Sequence, residues 1–182
     1  MARLTAAQAG GPNVLAFLDM LAWSEGTDNG KQPTMDSGYD VLVGGGLFRS
    51  YVDHPRVLVN LPKLGIKSTA AGRYQLLSRT WDALVRNYGF RGRFIPEAQD
   101  LAAIKLLTEC RALPHIQAGR IAEAIRAAAP IWASLPGAGY GQHEHELRNL
   151  LGIYAEEQAA EQRAAADLVA MYAAAGGVEA TA

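Results

Sequence analysis

Asn13-Val14-Leu15-Ala16-Phe17-Leu18-Asp19-Met20-Leu21-Ala22-Trp23-Ser24-Glu25-Gly26 reads as a helix that ends on a carboxylate. Val14, Phe17, Leu18 and Leu21 follow the i, i+3, i+4, i+7 spacing of one helix face. Asn13 is a residue type that caps helix N-termini, and Gly26 suits the position just past a C-terminus. At about 100° per residue, Glu25 falls near the centre of the stripe made by Val14, Leu18 and Leu21. A carboxylate there loses hydration and faces the negative end of the helix dipole, and both effects favour its protonated form. A glycosidase general acid needs that property, because it must keep a proton near neutral pH until a leaving oxygen takes it. Periodicity alone favours a plainer alternative, a carboxylate lying beyond the core edge or paired with an arginine.

Working outward, Thr27 to Ser37 is polar and turn-rich. Tyr39–Val43 and Leu47–Val52 are short β-prone runs separated by Gly44-Gly45-Gly46, which predicts a hairpin, and Leu58 to Leu61 is expected to add a third strand closed by Pro62. Helical patterns follow from Ser78 to Tyr88 with Gly89 at the end, from Pro96 to about Arg111, and from Ile121 to about Leu135. Pro136-Gly137-Ala138-Gly139-Tyr140-Gly141 must be a loop. From His143 to Ala175 the composition shifts to strong helix formers, which predicts one long helix of unclear packing face. The expected architecture is α+β: a mostly helical lobe, a small antiparallel β-hairpin lobe, and a cleft between them able to hold a polymer.

Composition sets the outer bounds. The chain has 182 residues, 49% of them hydrophobic and 19% charged, as in an ordinary globular domain. No apolar stretch approaches the roughly 20 residues that span a bilayer, and Met1 to Pro12 lacks the apolar core of a signal peptide. The single Cys110 rules out an intrachain disulfide, so the expected place of synthesis is the cytoplasm. The net charge of −1 hides an asymmetry: residues 49–93 carry nine Lys and Arg against Asp53 and Asp82, a local balance of +7. That segment suits an anionic partner such as peptidoglycan stem peptides, lipid headgroups or nucleic acid, and scattered solvated charge explains it equally well.

Several longer blocks are more specific. Ala16 to Gly30, Gly38-Tyr39-Asp40-Val41, Asp53-His54-Pro55-Arg56, Gly72-Arg73-Tyr74-Gln75-Leu76-Leu77-Ser78-Arg79 and Ile131 to Gln142 resemble, in order and spacing, the phage lambda lysozyme (endolysin) family of lytic transglycosylases. The resemblance covers roughly residues 14 to 145. It implies a lysozyme-like fold and an enzyme that cleaves the β-1,4 bond between N-acetylmuramic acid and N-acetylglucosamine without adding water, leaving a 1,6-anhydromuramic end. It places the family's catalytic glutamate on Glu25 and puts Tyr39, Tyr74, Gln75, Tyr140 and Gln142 in the cleft against sugar. It implies no cofactor, no metal, no nucleic acid and no membrane span. The partner is a peptidoglycan glycan strand, and the expected form is a monomer. The enzyme is expected in the host cytoplasm until a membrane-permeabilising holin releases it to the cell wall. The expected boundaries are a flexible segment over 1–12, a catalytic domain over 13–154 and an Ala/Glu-rich helical extension over 155–182.

Other readings stay open at this point. Asp28, Asp36 or Asp40 could be the second carboxylate of a hydrolytic muramidase; each is more economically a turn residue, and Asp36 alone lies outside the resembling blocks. A catalytically silent peptidoglycan-binding module is the alternative of another class. Trp23, Trp81 and Trp132 are more often core than sugar platforms at helical spacing, Trp81 most of all. His143-Glu144-His145 invites a zinc reading, but i and i+2 on a helix point about 200° apart. Cys110 lies in an apolar helix and reads as core.

Overall fold

A computed structural model describes residues 1–90 and 93–175. The helices are α1 (Ala6–Ala9), α2 (Pro12–Ser24), α3 (Ser78–Tyr88), α4 (Pro96–Glu109), α5 (Leu113–Gln117), α6 (Ile121–Ala128) and α7 (Leu147–Ala174). Strands β1 (Val59–Leu61) and β2 (Ile66–Ser68) form a two-stranded antiparallel sheet, with Val59 opposite Ser68 and Leu61 opposite Ile66. The class is α+β, as expected. Among the described residues no helix is long and apolar enough to cross a membrane.

α2 runs through the middle of the molecule. Every residue from Val14 to Ala22 is buried, so the helix is covered all round rather than along one stripe. α7 packs along it, with α1 and α5 on other sides. Its cap differs from expectation. Gly11 is the N-cap and Pro12 takes the first turn, where its missing N–H costs nothing. The Asn13 amide instead donates to Ile116 O and Gln117 O, tying α2 to α5.

Residues 1–12, expected to be a flexible segment, carry α1 with a Thr5/Gln8 capping box, and Leu4 is buried. The reason lies on α4. Buried Asp100 accepts from the N–H groups of Arg3 (2.7 Å) and Leu4 (3.2 Å) through one oxygen. Its other oxygen accepts from the hydroxyls of Tyr39 (2.7 Å) and Tyr74 (2.6 Å). One carboxylate thus joins the N-terminus, the Tyr39 turn and the Tyr74 turn to α4.

The β-lobe departs most from the sequence reading. The predicted hairpin of Tyr39–Val43 with Leu47–Val52 is reduced to a single bridge, Val41 to Leu47. Leu42 N–H donates to Gly46 O at 2.7 Å, and Gly44 and Gly45 take φ of +82° and +93°, open only to glycine without strain. On the other side of that bridge Phe48 N–H donates to Asp40 O at 2.9 Å; farther on the second run leaves the first, and Tyr51 O accepts from Phe94 N–H. The expected third strand is β1 of the actual sheet.

Helix ends also moved. α6 stops at Ala128 instead of about Leu135, since Pro130 cannot continue the ladder. α7 begins at Leu147 rather than His143, and its last buried residue is Tyr154. From Gln162 to Ala175 every residue is exposed, so this part of the expected 155–182 extension projects from the fold. Residues 176–182 lie outside the described residues.

Candidate active site

Glu25 is the C-cap of α2, its N–H donating to Leu21 O at 2.9 Å. It lines a cavity of about 360 Å³ between the helical lobe and the β-lobe. The walls come from Ser24 to Thr27 at the end of α2, Val41 to Gly45 in the glycine turn, and Leu64 between β1 and β2, with Gln32, Gln75 and the 133–134 and 142–143 segments completing them. The carboxyl keeps a face toward the open cleft but is otherwise packed among protein atoms. Loss of hydration pushes its pKa from 4.5 to about 7, against the opposing pull of the Ser134 hydrogen bond. Ser134 Oγ donates to Glu25 Oε1 at 2.6 Å.

No other carboxylate among the described residues lines this cavity. Asp28 accepts from buried Arg73 at 2.6 Å, and that guanidinium also bonds Asp19 at 2.6 Å. Asp36 accepts from Arg3 at 2.5 Å through one oxygen and from the Tyr51 hydroxyl at 2.7 Å through the other. Asp40 is buried and accepts from the Thr34 hydroxyl and the Met35 N–H. All three are structural partners of the turn after α2.

The expected sugar contacts divide. Gln75 and Gln142 line the cavity with Glu25. The Gln75 amide donates to Gly72 O at 2.9 Å and sits in a turn with φ of +49°. Tyr39 and Tyr74 do not reach the cleft. Both are 0% exposed, with their hydroxyls on Asp100 and their pKa values pushed far up by burial. The expectation that they contact sugar is therefore corrected: an aromatic ring with no open face cannot stack on a saccharide. Tyr140 keeps 56% of its surface, donates to Pro130 O at 2.6 Å, and lies outside the cavity wall.

Gly72-Arg73-Tyr74 is a joint rather than a binding motif. Gly72 has φ of +77°, and a Cβ there would fall 2.1 Å from Gln99 Oε1. That close approach lets Arg73 N–H donate to the same oxygen at 2.9 Å. Buried Gln99 drew no notice in the sequence, because a lone amide on α4 carries no pattern.

His143 is in the cavity wall, whereas Glu144 turns away and accepts from the N–H groups of Gly137 and Gly139 at 2.8 Å each. It closes the glycine-rich loop. His145 packs against Trp23 with ring centroids 4.9 Å apart and ring planes tilted by 49°. Trp81 and Trp132 are core, Trp132 donating to Tyr74 O at 3.1 Å. Cys110 is half-buried and burial pushes its thiol pKa up. Ser24, Ser134, Gln32 and His143 were missed by the sequence reading. Ser24 and Ser134 sit within the resembling blocks, and that was the only signal they carried.

The basic segment is partly consumed inside the molecule. Arg73 is buried with Asp19 and Asp28, and Arg56 bridges Asp53 and Asp82. No cation lines the cavity among the described residues. Lys63 is exposed on the β1–β2 turn that supplies Leu64 to the wall, and Lys67 is exposed on β2. Arg91 lies outside the described residues.

Comparison with known proteins agrees with this geometry. The Endolysin family model matches residues 15–160. The endolysin of Escherichia phage lambda is 58% identical over 142 residues, covering 78% of this chain and 88% of that protein. The endolysin of Escherichia phage P2 is 46% identical over 151 residues, covering 78% of this chain and 90% of that protein. The solved structure of bacteriophage lambda lysozyme in complex with a chitohexasaccharide superposes with a TM-score of 0.77 at 52% identity, covering 86% of this chain and 97% of that one.

Proposed function

The chain belongs to the Endolysin family, and on that premise we propose that it is a lysozyme of phage lysis that cuts the MurNAc–GlcNAc bond of peptidoglycan by lytic transglycosylation. The observation that carries the mechanism is that Glu25 is the single carboxylate of the cavity wall among the described residues. Most hydrolytic glycosidases use a second carboxylate, for water or for a glycosyl-enzyme. Asp28, Asp36 and Asp40 are each engaged elsewhere, by Arg73, by Arg3 and Tyr51, and by Thr34.

One glutamate suffices for the intramolecular reaction. Protonated Glu25 gives its proton to the leaving glycosidic oxygen as the bond to C1 breaks. The carboxylate then takes the proton from the muramic acid C6 hydroxyl as that oxygen bonds to C1. The net change moves one proton from O6 to the leaving oxygen and closes the 1,6-anhydro ring, with no water consumed. Gln75 and Gln142 supply hydrogen bonds to sugar from the same wall, with Tyr140 as an exposed ring on the adjoining loop. The lambda complex with a chitohexasaccharide supports a glycan in this cleft. The enzyme acts as a monomer, is made in the host cytoplasm, and reaches the wall after a holin opens the membrane.

Mass spectrometry of muropeptides released from purified sacculi tests the reading. Anhydro ends are expected as the main product, with Asp36→Asn keeping most activity. Muramic reducing ends as the main product, together with an inactive Asp36→Asn, would make the enzyme a hydrolytic muramidase.

A further inference from the structure

Glu25 is gripped by more than the helix that carries it. Behind Ser134 Oγ, which donates to Oε1, lies Ser24 Oγ at 3.0 Å, and Ser24 Oγ is also 2.9 Å from Leu21 O. One residue fixes both serines. The His145 main-chain N–H donates to Ser134 O at 2.9 Å, and its ring Nε2 lies 3.1 Å from Ser24 O. A carbonyl only accepts, so the ring proton sits on Nε2, and burial pushes the ring pKa down, keeping it neutral.

We propose that Ser134, backed by Ser24, is the positioning residue of the acid: it holds Oε1 and leaves Oε2 as the oxygen that gives the proton to the glycosidic oxygen and takes the next one back. The proposal rests on Glu25 being the acid, as argued above. Proton counting supports it. Two hydroxyl hydrogens serve three contacts: Ser134 with Glu25, Ser24 with Ser134, and Ser24 with Leu21 O. Leu21 O already accepts the Glu25 N–H, so Ser24 can leave it without baring a buried carbonyl. When Oε2 has lost its proton, Ser24 turns to Ser134 and Ser134 to Oε1, and both hydrogens point along one chain at the new charge. A hydrogen bond to an ionised carboxylate is about twice as strong as a neutral one. When Oε2 is protonated, Oε1 is a poorer acceptor and Ser24 returns to Leu21 O. The pair therefore tightens as the acid gives up its proton, where preorganised donors count most.

The test uses the full chain and two readouts: titration of the Glu25 carboxyl by ¹³C NMR, assigned by its loss in Glu25→Gln, and the pH profile of turnover on solubilised glycan strands. Ser134→Ala should move the Glu25 titration up by about one pH unit, since it removes a donor to the charged form. Turnover should fall roughly tenfold or more with KM little changed, as the carboxyl loses its orientation. Ser134→Thr should restore both. Ser24→Ala should move the titration in the same direction by less, and should add nothing in a Ser134→Ala background. An unmoved or lowered Glu25 titration in Ser134→Ala overturns the proposal, as does a Ser24→Ala shift that persists in full without Ser134. Should Ser134→Ala fail to fold, Ser24→Ala alone must still raise the titration, and no movement there overturns it. The NMR arm needs no turnover. Activity surviving in Glu25→Gln would sink the functional reading, and an unmoved titration would sink this one.

Discussion

Glu25 keeps its proton because the protein removes water from around its carboxyl without placing a cation beside it. With its folded pKa raised from 4.5 to about 7, the native state binds a proton that the unfolded state releases. The associated stability is present in full below pH 4.5 and is lost as pH rises through 7. Glu25→Gln removes that loss. Its melting temperature should match wild type near pH 4 and exceed it above pH 7, with a gain on the order of 2–3 kcal/mol. The same variant should lose activity by at least the ~10²–10⁴-fold that positioned acid–base catalysis contributes. A flat stability difference across this pH range would contradict the buried-acid account. Glu25 was legible in the sequence because its own helix carries the pattern. Ser134 was not, because its partner is more than a hundred positions away. Tyr39 and Tyr74 misled for a related reason. A tyrosine in a motif looks like a sugar platform until Asp100, distant in sequence on α4, is seen to take both hydroxyls.

The elements show where pattern is a sound guide and where it is not. α3 ends at Tyr88 with Gly89 at φ +68°, as its spacing predicts, because apolar period and C-terminal glycine agree. The short β-prone runs flanking Gly44-Gly45-Gly46 predict a hairpin, of which the Val41–Leu47 bridge forms. Pairing needs free partners as well as propensity: Phe48 N–H still reaches Asp40 O, but Val43 N–H goes to Ala70 O, Val41 O accepts from Gly72, and Tyr51 O is taken by Phe94. α7 shows the opposite case, a strong helix former whose length outruns its support. Its last buried residue is Tyr154, and the Gln158 amide still donates to Asn13 Oδ1 at 2.8 Å and to the Tyr154 hydroxyl at 3.2 Å. Beyond Glu161 the helix touches no core, and the family match ends at residue 160. A chain truncated after Glu161 should keep wild-type turnover and lose no more than about 0.5 kcal/mol, as exposed changes do. Thermal melting and a sacculus-clearing assay check this. A fall of several degrees with loss of activity would give the projecting turns a role in the fold.

At the scale of the molecule, the two lobes enclose a cleft whose wall holds, among the described residues, one acid, amides, two serines and a histidine but no cation. The +7 balance of residues 49–93 suits an anionic partner, but composition cannot tell which cations are neutralised by carboxylates distant in sequence. Arg73 reaches back to Asp19 and Asp28, and Arg56 reaches forward to Asp82, while Lys63 stays exposed next to Leu64 of the cavity wall and Lys67 stays exposed on β2. Stem peptides carry carboxylates, and exposed charges are screened over a Debye length of about 10 Å at 0.1 M salt. Activity on sacculi should therefore fall modestly between low and moderate salt, and Lys63→Glu with Lys67→Glu should flatten that fall. Identical salt profiles for sacculi and an uncharged chito-oligosaccharide would show that the two lysines do not steer substrate.

The central claim is that one carboxylate performs the whole cleavage and water takes no part. Digestion of sacculi in H₂¹⁸O, followed by mass spectrometry of the new glycan ends, tests it directly. The account predicts anhydromuramic ends that carry no ¹⁸O. Reducing muramic ends with one ¹⁸O at C1 would show that water attacks the anomeric carbon, and would contradict it.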